Sequence, residues 1–179
     1  DERLGWTGDA QVISPTAMFN FDTHAFWTAW LQSMRETQSE HNNGLVPFII
    51  PDVLQNNSAS SGWGDACVII PWDIYNITGD KRVLDENFEM AKKWVGYYQS
   101  KAKDYIPNIH SFGDWLQPYP DKNGKNGNRG DTPRLFVNTA YFAHSAHLVS
   151  KIAGVLGETE DEKKYKALYK AIATAFEKK

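Results

Sequence analysis

The chain has 179 residues, of which 41% are hydrophobic, 23% charged and 13% aromatic, and its formal net charge is -3. Those values are ordinary for a globular domain and exclude a disordered, collagen-like or disulfide-stapled chain, the last because Cys67 is its single cysteine. Scattered Lys and Arg argue against a nucleic-acid footprint, and the longest apolar runs, Val46 to Pro51 and Cys67 to Trp72, are too short to cross a bilayer.

The hydrophobic periodicity is helical along almost the whole chain. A first helix is predicted over Ala10 to Asn20 and a second over Thr23 to Gln38, where Phe26, Trp27, Trp30, Leu31 and Met34 recur at spacings of three and four. Residues 39 to 61 hold Gly44, Pro47, Pro51 and a polar run, and read as an irregular loop. A third helix is predicted over Asp65 to Thr78, ended by Gly79. Asp80 caps a fourth, whose stripe is Leu84, Phe88, Ala91, Val95 and Tyr98. Residues 102 to 132 form a second long loop. A fifth helix runs from Pro133 to Leu156 and is ended by Gly157; Thr159 with Glu162 reads as a capping box for the sixth.

The order is therefore loop, helix, short turn, helix, three times over, in hairpins of about 8–38, 62–101 and 133–178. The third and fifth helices are apolar nearly all round and belong inside; the fourth and sixth have one polar face and belong outside. The expectation is an all-α array of helical hairpins, too few to close a ring. The inner faces of the third and fifth helices would then be left exposed.

An internal repeat carries the functional signal. Gly8-Asp9-Ala10-Gln11-Val12-Ile13-Ser14-Pro15 recurs as Gly64-Asp65-Ala66-Cys67-Val68-Ile69-Ile70-Pro71, identical at six of eight positions and 56 residues later. Trp6 and Trp63 precede the two copies, and a third Gly113-Asp114 lies between Phe112 and Trp115, 49 residues further on. Asp9 and Asp65 could serve simply as helix N-caps. That reading leaves the adjacent aromatics unexplained. Side-by-side hairpins bring equivalent loop ends to one rim, where Asp9, Asp65 and Asp114 would interleave with Trp6, Trp63 and Trp115. Carboxylates that accept hydroxyl hydrogen bonds, beside flat rings that pack on the C–H face of a sugar, suit a carbohydrate. Glu2 lies on the same approach, and burial near Trp6 among other acids would favour the protonated form that a general acid needs.

Residues 1–9, D-E-R-L-G-W-T-G-D, followed by Ala10-Gln11, resemble the catalytic segment of the family 78 glycoside hydrolases, the α-L-rhamnosidases. The likeness continues through Trp63-Gly64-Asp65-Ala66, Phe112-Gly113-Asp114-Trp115-Leu116 and Thr139-Ala140-Tyr141-Phe142, and spans essentially the whole chain. It implies a catalytic (α/α)6 barrel of six hairpins, of which residues 1–179 hold three, and hydrolysis of terminal α-L-rhamnosides with inversion. It further implies that Glu2 is the general acid, that Asp9 contacts the sugar, and that Trp6, Trp63 and Trp115 wall the pocket, with Asp65 and Asp114 matched by motif. Arg3 reads as an ion-pair partner or as the group orienting a carboxylate. The acidic and Cys-Pro residues that usually precede the family's first motif are not in this sequence. The base that activates water lies in the family's second half-barrel, so the chain alone is expected to be inactive, as part of a longer enzyme completed by further chain or by self-association. No cofactor or metal is implied, the ligand is a rhamnose-containing glycoside or polysaccharide, and the compartment is left open.

Other groups carry weaker signals. His144 and His147 stand one helical turn apart with no evident third ligand, and read as packed histidines. Asp121 to Asp131 resembles a calcium loop only faintly, because Lys125 occupies a ligand position and Thr132 replaces the closing Glu. Cys67 reads as a small core residue. Two other functions fit the aromatic rim: another hairpin-barrel glycosidase, of the glucoamylase or unsaturated-glucuronyl type, and a non-catalytic sugar-binding module. A toroidal terpene-binding protein would need Asp-rich motifs that the sequence lacks.

Overall fold

The computed structural model describes residues 3–55, 58–117 and 130–178. Within them the chain folds into six helices, α1 (Thr7–Asn20), α2 (His24–Ser39), α3 (Ala66–Thr78), α4 (Lys81–Lys101), α5 (Arg134–Leu156) and α6 (Thr159–Glu177). A two-stranded antiparallel hairpin, β1 (Ala102–Lys103) and β2 (Ile106–Pro107), follows α4. The loop reading of 102–132 missed this hairpin. Its turn residues, Asp104 and Tyr105, both have positive φ (50° and 64°), as a tight two-residue hairpin turn requires, but they lack the Asn-Gly signature that announces one.

Helix α1 packs on α3, and α3 on α5, so the first helices of the three pairs are neighbours in chain order. Helix α2 lies against α3 and α4, α4 against α3 and α5, and α6 along α5. The stripe of α4 is buried throughout, at Leu84, Phe88, Ala91, Val95 and Tyr98, while Lys81, Arg82, Asp85, Glu86 and Glu89 face out. On α2, Trp27, Leu31 and Met34 are buried, but Phe26 is 61% exposed. The expected apolar surface on the inner helices is also displaced. Helix α3 is buried along most of its length, with Ile77 near its end exposed, and the exposed apolar side chains on the helices include Val12, Ile13 and Phe19 on α1 and Leu135 and Phe136 at the start of α5.

Gly79 and Gly157 close α3 and α5 in the left-handed conformation, and Asp80 caps α4 by accepting the Arg82 N–H at 3.0 Å. Two capping expectations are corrected. Helix α1 begins at Thr7, which puts Asp9 inside its first turn, and α6 begins at Thr159 itself, so no capping box forms and the Glu162 N–H bonds the Glu158 carbonyl. Pro15 lies inside α1 with no N–H to offer the Gln11 carbonyl, and the Ser14 hydroxyl stands 3.3 Å from that oxygen.

Asp73 on α3 is half-buried. Burial pushes its carboxyl up to about 6 against the opposing pull of a hydrogen bond from Ser14 on α1. The folded state therefore binds more protons than the unfolded state between about pH 4 and 6, so stability falls as pH rises through that window and the penalty is fully present above it. Asp73→Asn is expected to raise the thermal midpoint relative to wild type at pH 7 and to leave it almost unchanged at pH 4. Equal shifts at the two pH values would remove Asp73 from that role.

Candidate functional site

The loops that lead into α1, α3 and α5 meet at one end of the helical array. Trp6 forms a bridge with Ile49, Thr7 donates its N–H to the Phe48 carbonyl at 3.0 Å, and Ser61 donates to the His110 carbonyl at 3.1 Å and bridges Ser111. Backbone pairing thus ties the approach to α3 to both of its neighbours. Phe112 is the centre of the aromatic cluster that results. Its ring meets Trp6 at 5.9 Å, Phe48 at 5.3 Å, Trp63 at 4.8 Å, His110 at 4.8 Å and Trp115 at 5.6 Å, and Trp6 stacks on Phe48 at 5.4 Å. Edge-to-face packing of this kind holds indole rings rigidly without consuming their outer faces.

Beside this cluster an open cleft of about 650 Å³ is lined by Asp9, Gln11, Trp63, Trp115 and Tyr141, with Gly62 in its wall. Asp9 and Trp115 are exposed there, Trp115 by 46%. Three residues singled out from the repeat, Asp9, Trp63 and Trp115, therefore share one opening. Trp6 stands behind it, its ring occupied by Phe48 and Phe112. The glycine of each of the first two Gly-Asp pairs is a seat for a ring. A Cβ on Gly8 would lie 2.6 Å from the Trp63 indole nitrogen, and one on Gly64 would lie 2.6 Å from the Trp94 ring.

The two repeat copies differ in what their aspartates do. Asp9 is exposed, whereas Asp65 is entirely buried and accepts four hydrogen bonds. Its Oδ1 accepts from Trp94 Nε1 at 3.0 Å and Ser145 Oγ at 2.6 Å; its Oδ2 accepts from the Gly62 N–H at 2.8 Å and the Tyr98 hydroxyl at 2.9 Å. Burial is the larger influence on this carboxyl and holds it above the ordinary range, with the four donors pulling the other way. Asp65 thus lies in the interior and makes no N-cap bond to α3. Asp114 is half-buried and turned away from the opening, its Oδ2 accepting the Thr132 hydroxyl at 2.9 Å and Gly130 packed against the carboxylate. Glu2, the expected acid, lies outside the described residues, as does the calcium-loop-like stretch up to residue 129.

Gln11 and Tyr141 line the cleft without having been singled out, although both stand in stretches that carry the repeat or the family likeness. Phe48, deep in the first long loop, had no local signal at all. A larger cleft, of about 1080 Å³, runs between the β-hairpin and the ends of α5 and α6. Lys103, Arg134, Lys170 and Lys178 are among its mostly apolar lining, and none of the repeat's residues reaches it. His147 packs on the Tyr169 ring at 4.8 Å; burial first, then Lys151 and His144, lower its basicity. Among the described residues no three His, Cys, Asp or Glu side chains converge as a metal site, and no helix is long and apolar enough to cross a membrane.

Comparison with known proteins identifies the family and the fold. The family model of the bacterial alpha-L-rhamnosidase 6 hairpin glycosidase domain matches residues 1–179. The chain is similar to an alpha-L-rhamnosidase of Formosa agariphila, with 56% identity over 99% of the chain and 19% of the relative. It is likewise similar to one of an Alteromonas species, with 47% identity over 98% of the chain and 19% of the relative. The structure of the Streptomyces avermitilis alpha-L-rhamnosidase complexed with L-rhamnose superposes with a TM-score of 0.86 at 34% identity, over 99% of this chain and 16% of that one. The chain thus spans about a fifth of the length of the curated relatives it matches.

Proposed function

The chain belongs to the bacterial α-L-rhamnosidase six-hairpin glycosidase family, and from that premise we propose that it supplies the aromatic, acid-bearing part of the sugar-binding rim of an inverting α-L-rhamnosidase. The observation that carries the reading is the convergence of Asp9, Trp63 and Trp115 on one cleft backed by the Phe112 cluster. In this proposal the exposed indole faces pack on the C–H face of a terminal rhamnose and Asp9 accepts one of its hydroxyls.

Glu2 donates a proton to the glycosidic oxygen as the bond from that oxygen to the anomeric carbon breaks. A water on the opposite face of the ring attacks that carbon and gives its proton to a second carboxylate, roughly 6.5–9.5 Å from the first. That base is proposed to lie in the part of the enzyme beyond residues 1–179, so the chain by itself binds sugar and does not turn it over. The exposed apolar residues of α1 and of the start of α5 are the edges along which the remaining hairpins, or another copy, would pack.

A panel of aryl glycosides tests the assignment. The full-length enzyme is expected to hydrolyse the aryl α-L-rhamnoside, to release β-L-rhamnose first by NMR, and to leave the aryl α-glucoside intact, while residues 1–179 alone hydrolyse neither. Cleavage of the glucoside with the rhamnoside untouched would overturn it.

A further inference from the structure

The buried carboxylate of Asp65 faces no cleft, yet it is attached to the rim through a single glycine. Gly62 is held at all three of its accessible points. Its N–H donates to Asp65 Oδ2 at 2.8 Å, its carbonyl accepts from Gln11 Nε2 of α1 at 2.5 Å, and its α-carbon lies against Tyr141 of α5, where a Cβ would come within 3.1 Å of the ring. Gln11, Tyr141 and the next residue, Trp63, all line the cleft. With φ at +81°, Gly62 adopts the left-handed conformation that a side chain would strain. Asp65 in turn is anchored to α4 by Trp94 and Tyr98 and to α5 by Ser145. Tyr98 also shares a 2.9 Å hydrogen bond with Ser61 Oγ; because a phenol has one proton, Tyr98 donates to the carboxylate and accepts from Ser61.

Resting on the rhamnosidase reading above, we propose that Asp65 is a positioning residue that fixes the Ser61–Trp63 segment and so sets the spacing between the Trp63 face and the Asp9 side of the sugar cleft. The chemistry of the four donors explains why the residue is an acid. Two of them, the Tyr98 and Ser145 hydroxyls, can rotate and accept; the other two, the Gly62 and Trp94 N–H groups, cannot. An asparagine at position 65 turns its NH2 toward one of these fixed N–H groups whichever way its amide is oriented, and a buried N–H loses its partner. Only a carboxylate satisfies all four.

The test is made in the full-length enzyme with Asp65→Asn, with Tyr98→Phe as a milder variant, and with Ile172→Ala on α6 as a destabilised control remote from the rim. Loss of folded protein lowers the apparent kcat and leaves KM alone, whereas a misplaced rim raises KM in the molecules that remain folded. Asp65→Asn is expected to raise KM for an aryl α-L-rhamnoside by about tenfold and Tyr98→Phe by about threefold, with Ile172→Ala at the wild-type KM. Amide hydrogen exchange across residues 59–64 should accelerate in the first two variants and stay at the wild-type rate in the third. If Asp65→Asn does not fold, Tyr98→Phe carries the same test. Wild-type exchange in that segment, or a KM that rises equally in Ile172→Ala, would overturn the proposal. Failure of the wild-type enzyme to act on any rhamnoside would overturn the functional reading instead, and the exchange rates would still decide the role of Asp65.

Discussion

Glu2→Gln in the full-length enzyme is expected to lower kcat on an alkyl α-L-rhamnoside by about 10²- to 10⁴-fold while leaving KM within about twofold. Glutamine keeps the shape and most of the hydrogen bonding of the acid and removes only the transferable proton, so sugar binding persists and bond cleavage slows. The size of the loss should depend on the leaving group. A dinitrophenolate departs without help, so the variant's deficit on the dinitrophenyl glycoside is expected to shrink well below its deficit on the alkyl glycoside, and the alkaline limb of the pH–rate profile, where the acid would lose its proton, should flatten. The proposal that Glu2 is this acid draws on the D-E-R-L-G-W-T-G-D segment and on the company it keeps in the chain. Four residues on stands Trp6, stacked on Phe48, and seven residues on stands the exposed Asp9. Apolar rings and a neighbouring carboxylate both favour the protonated form of an acid. A variant with the wild-type rate on both substrates would exclude Glu2 from the role.

The parts of this molecule that were legible in its sequence are those in which a local pattern decides the outcome. The four-and-three stripe of α4 is buried as its spacing requires, and Gly79, Asp80 and Gly157 stop and start helices where their chemistry predicts. The cleft was legible because a repeat places the same residue types at equivalent loop ends, and the packing of α1, α3 and α5 as neighbours brings those ends together. What the repeat concealed is the different fate of its two aspartates. Helix α1 leaves Asp9 in the open, while α3 is enclosed, and the groups that enclose Asp65 come from 29, 33 and 80 residues away. The immediate neighbours are the same in both copies, a Gly before and an Ala after, so the motif alone does not announce the four donors around Asp65. The same holds for Phe48, which is recruited to the aromatic cluster by the bridge between Trp6 and Ile49, and for the 102–107 hairpin, whose turn is forced into left-handed geometry at Asp104 and Tyr105.

Trp94→Ala should cause the largest loss of stability of any single truncation in the core, about 3–5 kcal/mol. Trp94 is fully buried at the junction of α3, α4 and the rim loop. It stacks on Tyr97 at 5.4 Å, meets the Tyr98 ring edge-on at 4.9 Å, and lies so close on Gly64 that no other residue fits beneath it. Truncation opens a cavity of indole size that neighbouring helices cannot collapse into, and it deprives Asp65 Oδ1 of one of its two donors. Trp94→Phe separates these contributions, since a phenyl ring refills most of the space but brings no N–H. Its cost should fall to about 1–3 kcal/mol, the range for a buried hydrogen-bonding group left without its partner. Urea unfolding of the full-length enzyme, followed through the catalytic-domain transition, measures both. The expected result is a lowered midpoint with unchanged slope for each variant, larger for alanine. Equal shifts for the two variants would mean that the hydrogen bond to Asp65 outweighs the packing, and a shift below about 1 kcal/mol for alanine would show that Gly64 and Trp94 do not form the rigid junction on which the rim is built.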